Sequence, residues 1–233
     1  MRLSLLDPDS RFGKVCGMLA NLIIVNLCFV LTLVPVITAG AGICAMYYAM
    51  MKLVRSKDIR PAKDFLKGFR ENFKRATLVW LILSGLAAAL FFDFRIAAFM
   101  GPWAHGLWIG LAGVALVLLL ISMYLFPVMA CFYGSLREQI RNSVLFAGRN
   151  IFLALAVFAI NTLPMFFTYW FAGYLPLFAF LWCMFGFALT AYLNSHLLLH
   201  LFIPYLGPAE TVEDYGSEDE MMRKTLEEMK MLE

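Results

Sequence analysis

The sequence predicts an all-α protein: a polytopic helical membrane bundle of six transmembrane helices arranged as three hairpins, with both termini in the cytoplasm. Three observations carry this expectation. Hydrophobic residues fill 62% of the 233 positions and charged residues 15%, where soluble domains run near ~45–50% and ~25%. Six stretches approach the ~20 apolar residues that a helix needs to cross a bilayer. Lysine and arginine fall almost entirely in alternate connections between those stretches. A soluble domain of this length has no core large enough for so much apolar surface, so the excess faces lipid.

The stretches are residues 15–34, 36–54, 76–92, 106–132, 151–171 and 175–203. The first exceeds the usual apolar core of a cleaved signal peptide and is followed at once by more apolar sequence, so it reads as a retained span. Three basic residues precede it, nine lie between the second and third spans, three lie between the fourth and fifth, and three sit in the tail. The opposite connections hold only Arg95. An 18-to-1 division of that kind places the basic connections and both ends on the cytoplasmic side. Trp103, Trp108, Tyr169, Trp170 and Tyr174 gather at the other face, as an outer interfacial belt.

The transmembrane domain occupies residues 1–206 and includes a basic amphipathic cytoplasmic segment, 55–75. Here Phe65, Leu66, Phe69 and Phe73 recur at helical spacing between Lys67, Arg70, Lys74 and Arg75. Such a helix is expected to lie in the inner interface, apolar face to lipid and basic face to anionic headgroups, or to serve only as a topological anchor. Residues 207–233 form an acidic cytoplasmic tail, with nine acidic residues against three basic ones after Pro208. Ser217 to Glu220 read as a capping box opening a short amphipathic helix with Met222, Leu226 and Met229 on one face. The opposite charges of the tail and the 52–75 segment raise the expectation of a salt-sensitive docking of one on the other.

Catalytic chemistry finds little support. His196 and His200 stand at i, i+4 and share a helix face, but Leu197 occupies the place where a metalloprotease-type site needs its acid. Interfacial histidines are the simpler reading, and no metal or cofactor is expected. The five cysteines (Cys16, Cys28, Cys44, Cys131, Cys183) have no metal-like spacing and read as small packing residues. There is no phosphate-cradling glycine loop, nucleophile elbow or carboxylate pair, so an enzyme is not expected, and no nucleic-acid partner either.

Uncharged polar residues inside spans are the remaining candidates. Asn26 and Asn161 both fall near the bilayer midplane, with Thr162 and Pro164 following the second. Amides at that depth either bond between helices or line a polar path. Pro35, Thr38 and Gly40 break the chain between the first two spans, as a tight turn or a discontinuous helix. Ala41, Ala45 and Ala49 then form a small-residue stripe that admits a close helix neighbour.

Several of these stretches resemble the YesL-like family, bacterial integral membrane proteins of unknown function. The match runs from about Leu5 to Leu206. It rests on Asn26 ahead of Pro35-Val36-Ile37-Thr38-Ala39-Gly40-Ala41, Tyr47, Lys52-Leu53-Val54-Arg55, and Asp64 through Lys74. Phe126-Pro127, Asn142, Arg149-Asn150, Asn194-Ser195 and Phe202-Ile203-Pro204-Tyr205 add to it. The resemblance implies location in the bacterial cell membrane and a link to carbohydrate uptake, since family genes often neighbour carbohydrate ABC transporters. It carries over no catalytic or binding residue. The expected function is a non-catalytic accessory or assembly component of such a system; the alternative is a small sugar-related permease with a path near Asn26 and Asn161.

Overall fold

A computed structural model describes residues 11–56, 59–101, 105–132 and 134–206. The acidic tail, its capping box, Trp103 and the tail-docking idea lie outside the described residues. The described chain is helical, with no strand among those residues: α1 Arg11–Leu33, α2 Ala39–Ser56, α3 Pro61–Phe99, α4 His105–Cys131, α5 Leu136–Arg149, α6 Ile151–Trp170, α7 Leu175–Leu181 and α8 Phe187–Phe202. A π-helical turn, Trp182–Gly186, joins α7 to α8 without a break.

Among the described residues, five helical segments are long and apolar enough to cross a membrane: Phe12–Leu33, Pro61–Phe99, His105–Cys131, Ile151–Trp170 and the near-continuous run Ala172–Tyr205. The sixth expected span, 36–54, corresponds to α2, which does not reach that standard. The reason is its position: α2 packs against α1, α3, α4 and α8. Ala41, Ala45, Ala49 and Met50 on it are fully buried. A helix enclosed by other helices has no lipid to satisfy, so small residues and a lysine replace a greasy perimeter.

Close packing around α2 depends on glycine. At Gly40 a Cβ would strike the Trp80 side chain and come within 2.6 Å of the Ala76 carbonyl oxygen. At Gly68, on α3, it would lie 2.8 Å from the Tyr48 Cβ. These two absences of side chain let α2 and α3 run antiparallel at close range.

The basic segment differs from expectation. It is the first part of the 39-residue helix α3, continuous with the apolar part. Asp64, Phe65, Gly68 and Asn72 form its buried stripe, and Phe65 enters the protein core instead of facing lipid. The physical reason is α2: its large buried side chains offer Phe65 a protein partner, which the sequence periodicity alone cannot distinguish from lipid. Arg70, Lys74 and Arg75 remain exposed, and Arg75 donates to the Gly134 carbonyl at 2.9 Å. Lys67 lies 4.0 Å from Glu71.

Between α4 and α6 the chain forms the short amphipathic helix α5. Its start is a capping box: Ser135 N–H donates to Glu138 Oε2 at 2.8 Å, and Glu138 N–H donates to Ser135 Oγ at 3.4 Å. Those bonds from Ser135 hold the Glu138 carboxyl below the usual carboxylate range. Gln139, Ser143 and Ala147 form its buried face, and Phe146 joins a ring cluster with Phe132, Phe202 and Tyr205.

Candidate functional site: an asparagine clamp on a π-helical turn

Asn26 is fully buried. Its Nδ2 donates to the carbonyls of Trp182 at 2.9 Å and Cys183 at 2.7 Å, and its Oδ1 accepts from the Ala188 N–H at 2.9 Å. One side chain on α1 therefore bridges both ends of the π-helical turn. The need is local: widening the hydrogen-bond ladder to i→i+5 leaves carbonyls without their helical donor, and such turns survive where something else satisfies them. Both amide protons of Asn26 and its oxygen are used in this way, which leaves little capacity for a passing solute. Phe187 packs edge-on to Phe29 on α1 at 5.3 Å, closing the same contact.

Asn161 is placed differently. It is partly buried on α6, and its Nδ2 donates at 2.8 Å to the Val157 carbonyl one turn earlier on its own helix. Thr162 is exposed. The structure does not bring Asn161 or Thr162 to Asn26, and the Asn161 amide bond stays within its own helix. A groove of about 540 Å3 does run between α6 and the last helical segment, past Leu163, Pro164, Thr168, Trp182, Gly186 and Thr190. Its polar atoms are spent internally: Trp182 Nε1 donates to Thr168 Oγ1 at 3.0 Å, and that hydroxyl donates to the Pro164 carbonyl at 2.8 Å.

The Pro35–Gly40 break is a tight turn. Thr38 Oγ1 donates to the Thr32 carbonyl at 2.6 Å and Thr32 Oγ1 to the Phe29 carbonyl at 2.7 Å, so both hydroxyls quiet carbonyls at the end of α1. Val36 holds a φ of 49°, a left-handed conformation costly for a β-branched residue. Gly40 serves helix approach, as described above.

Sequence reasoning did not find two other polar contacts. Lys52 Nζ meets Asp64 Oδ1 at 2.9 Å, with the two side chains only 11% and 7% exposed. Asp64 Oδ2 also accepts the Arg60 N–H at 2.8 Å, so it caps α3 while tying it to α2. A signal was available: Pro61 at the first helical position followed by an acid in the first turn. The second contact, Asn194 Nδ2 to the Tyr47 hydroxyl at 3.2 Å, links α8 to α2 and has no such signal.

His196 and His200 sit on the exposed side of α8, His196 edge-on to Tyr192 at 4.8 Å. With Val54, Arg55 and Leu199 they border a shallow pocket of about 400 Å3. Among the described residues no group of three or more His, Cys, Asp or Glu side chains is placed to hold a metal.

Among the described residues these features define a helical protein with five helices long and apolar enough to cross a membrane, whose buried polar groups bind helices to one another. Residues 22–94 match a family described as a protein of unknown function, DUF624. That segment contains Asn26, the turn, α2 and most of α3. No curated protein matches the chain, and no solved structure does.

Proposed function

We propose that this chain is a non-catalytic integral membrane protein of the bacterial cell membrane, acting as an accessory or assembly component linked to carbohydrate uptake. The observation that favours the accessory reading over the permease is the use of Asn26: the amide in the middle of the first apolar helix is consumed in holding α1 to the last helical segment. The apolar grooves on the outside suit contact with lipid or with another membrane helix better than passage of a sugar. The link to carbohydrate uptake rests on the resemblance to the YesL-like family, which also supports a carbohydrate ABC transporter as partner. Both termini and the basic connections are assigned to the cytoplasm from the lysine and arginine distribution.

Reconstitution into liposomes separates this reading from the permease. Vesicles containing the protein are expected to take up radiolabelled mono- and oligosaccharides no faster than empty ones. Saturable uptake that Asn161→Leu abolishes without loss of folded protein would establish the permease and overturn the accessory reading.

A further inference from the structure

We infer that α1 and α2 form a re-entrant hairpin whose turn, residues 34–38, stops inside the bilayer and never reaches the outer surface. The argument begins with register. Lys52 pairs with Asp64, Tyr48 meets Gly68, and Gly40 meets Ala76 and Trp80. These three contacts run in order along an antiparallel pair, so the start of α2 is level with Ala76–Trp80 on α3.

That level is the inner end of the apolar part of α3, directly after Lys74 and Arg75. The helix continues from Leu81 to Phe99, which at ~1.5 Å per residue is about 28 Å further. Over this length its neighbour is α4. Phe94 packs on Trp108 at 5.2 Å, and residues Trp80 to Phe94 face Ala115 to Ser122 across a groove of about 500 Å3. A turn at the outer surface would leave this outer half of the α3–α4 pair standing in water, with Phe91, Phe92, Ile96, Phe99, Leu107 and Ile109 exposed on it. If instead the α3–α4 pair lies in hydrocarbon, whose thickness is ~30 Å, the turn ends in the inner part of the bilayer, about 28 Å short of the outer end of α3.

The turn itself has the chemistry for that place. Val34, Val36 and Ile37 are 79%, 66% and 55% exposed. No charged residue occurs between Lys14 and Lys52, and residues 34–38 include no Trp or Tyr of the kind that marks the other two outer connections. Irregular backbone at membrane depth needs its polar groups satisfied by the protein. Here the N–H groups of Val36, Ile37, Ala39 and Gly42 donate to Leu33, Pro35, Val36 and Thr38 carbonyls, and both threonine hydroxyls are occupied. A hairpin entering and leaving by the same face also reads identically to two full spans in the lysine and arginine distribution, so that distribution does not oppose it.

The test uses the full-length protein in intact cells. Val36→Cys and Gly173→Cys variants are treated from outside with a membrane-impermeant maleimide, and peptide mass spectrometry locates the adduct, so the native cysteines stay. Gly173→Cys is expected to react, and Val36→Cys to react at least tenfold more slowly. In parallel, the wild-type protein in vesicles of phosphatidylcholine bearing a diazirine midway along the acyl chain is photolysed. Adducts on residues 34–37 are expected. External labelling of the Val36→Cys protein at the Gly173→Cys rate, or acyl-chain adducts absent from 34–37 while present on residues 107–117, would overturn the proposal.

Discussion

At the scale of single residues, what distinguishes Asn26 from Asn161 is where the amide is spent. Replacing Asn26 by leucine orphans two carbonyls and an N–H of another helical segment, each worth ~1–3 kcal/mol when buried and unpaired, though membrane-protein cycles average nearer ~0.6. Asn26→Leu is therefore expected to cost about 2 kcal/mol or more in thermal unfolding in detergent. Asn161→Leu removes only a second bond to a carbonyl on its own helix, and is expected to cost less than ~1 kcal/mol. Equal losses would show that the π-helical turn does not depend on the clamp. Lys52 and Asp64 offer a second comparison. Either single change, Lys52→Met or Asp64→Leu, takes the partner ion away from a buried charge and is expected to cost about 3–5 kcal/mol, while the double change recovers most of it. A double variant as unstable as the sum of the singles would mean the pair does not act as a pair. The place of Asn26 in the middle of a long apolar helix was legible from residue counting. Its partners were not, because a π-helical turn has no sequence signature and lies more than 150 residues away. Asp64 was legible as a capping acid but not as the mate of Lys52, since pairing across a helical hairpin depends on register that the intervening loop sets.

At the scale of elements, glycine decides how closely α2 and α3 approach. Gly40→Ala places a methyl against Trp80 and the Ala76 carbonyl, and backbone cannot yield as a side-chain tip can. It is expected to destabilise by about 1–3 kcal/mol. Gly85→Ala, on α3, meets nothing within 4 Å, so it is expected to be neutral or to stabilise by up to ~1 kcal/mol through helix propensity. Denaturation of both variants side by side checks the contrast; a neutral Gly40→Ala would mean that the two helices are not held at that distance. Helix existence was read well from hydrophobic runs, and the break at 34–38 was read from Pro35 and Thr38. Within 55–75 the burial of Phe65 was not legible, because a phenylalanine at helical spacing looks the same whether it meets lipid or α2; Leu66 and Phe73 stay exposed. The α5 capping box adds a pH dependence. Glu138 is held in its charged form by Ser135, so its contribution to the α5 start is present above the ordinary carboxylate pKa and fades as pH falls through the lowered folded value. Hydrogen exchange at residues 135–140 is expected to quicken, after correction for intrinsic rates, as the pH drops below that range. Ser135→Ala should remove the effect.

At the scale of the whole molecule, charge placement and helix register inform different things. The lysines and arginines say on which side the connections lie, and five helical segments have the length and composition to cross. Neither says how deep the first hairpin goes, which is why composition alone suggested six crossings where register argues otherwise. Side can be tested independently of depth. The start of α3 and the connection holding α5 carry Lys63, Lys67, Arg70, Arg137 and Arg141, and moving so many cations through a membrane is prohibitive. Both are therefore expected on the cytoplasmic face together, whichever way the first hairpin runs. Arg70→Cys and Arg141→Cys, each exposed in the wild-type residue, are expected to resist an impermeant maleimide in intact cells and to react fully once the cells are permeabilised. Reaction of one from outside but not the other would require an odd number of crossings between α3 and α5, which would break the α3–α4 hairpin. Reaction of both from outside would invert the molecule and, with it, the cytoplasmic assignment of the termini. Because these outcomes leave the depth of residues 34–38 untouched, a correct side with a fully exposed turn would retain the topology and reject only the re-entrant hairpin.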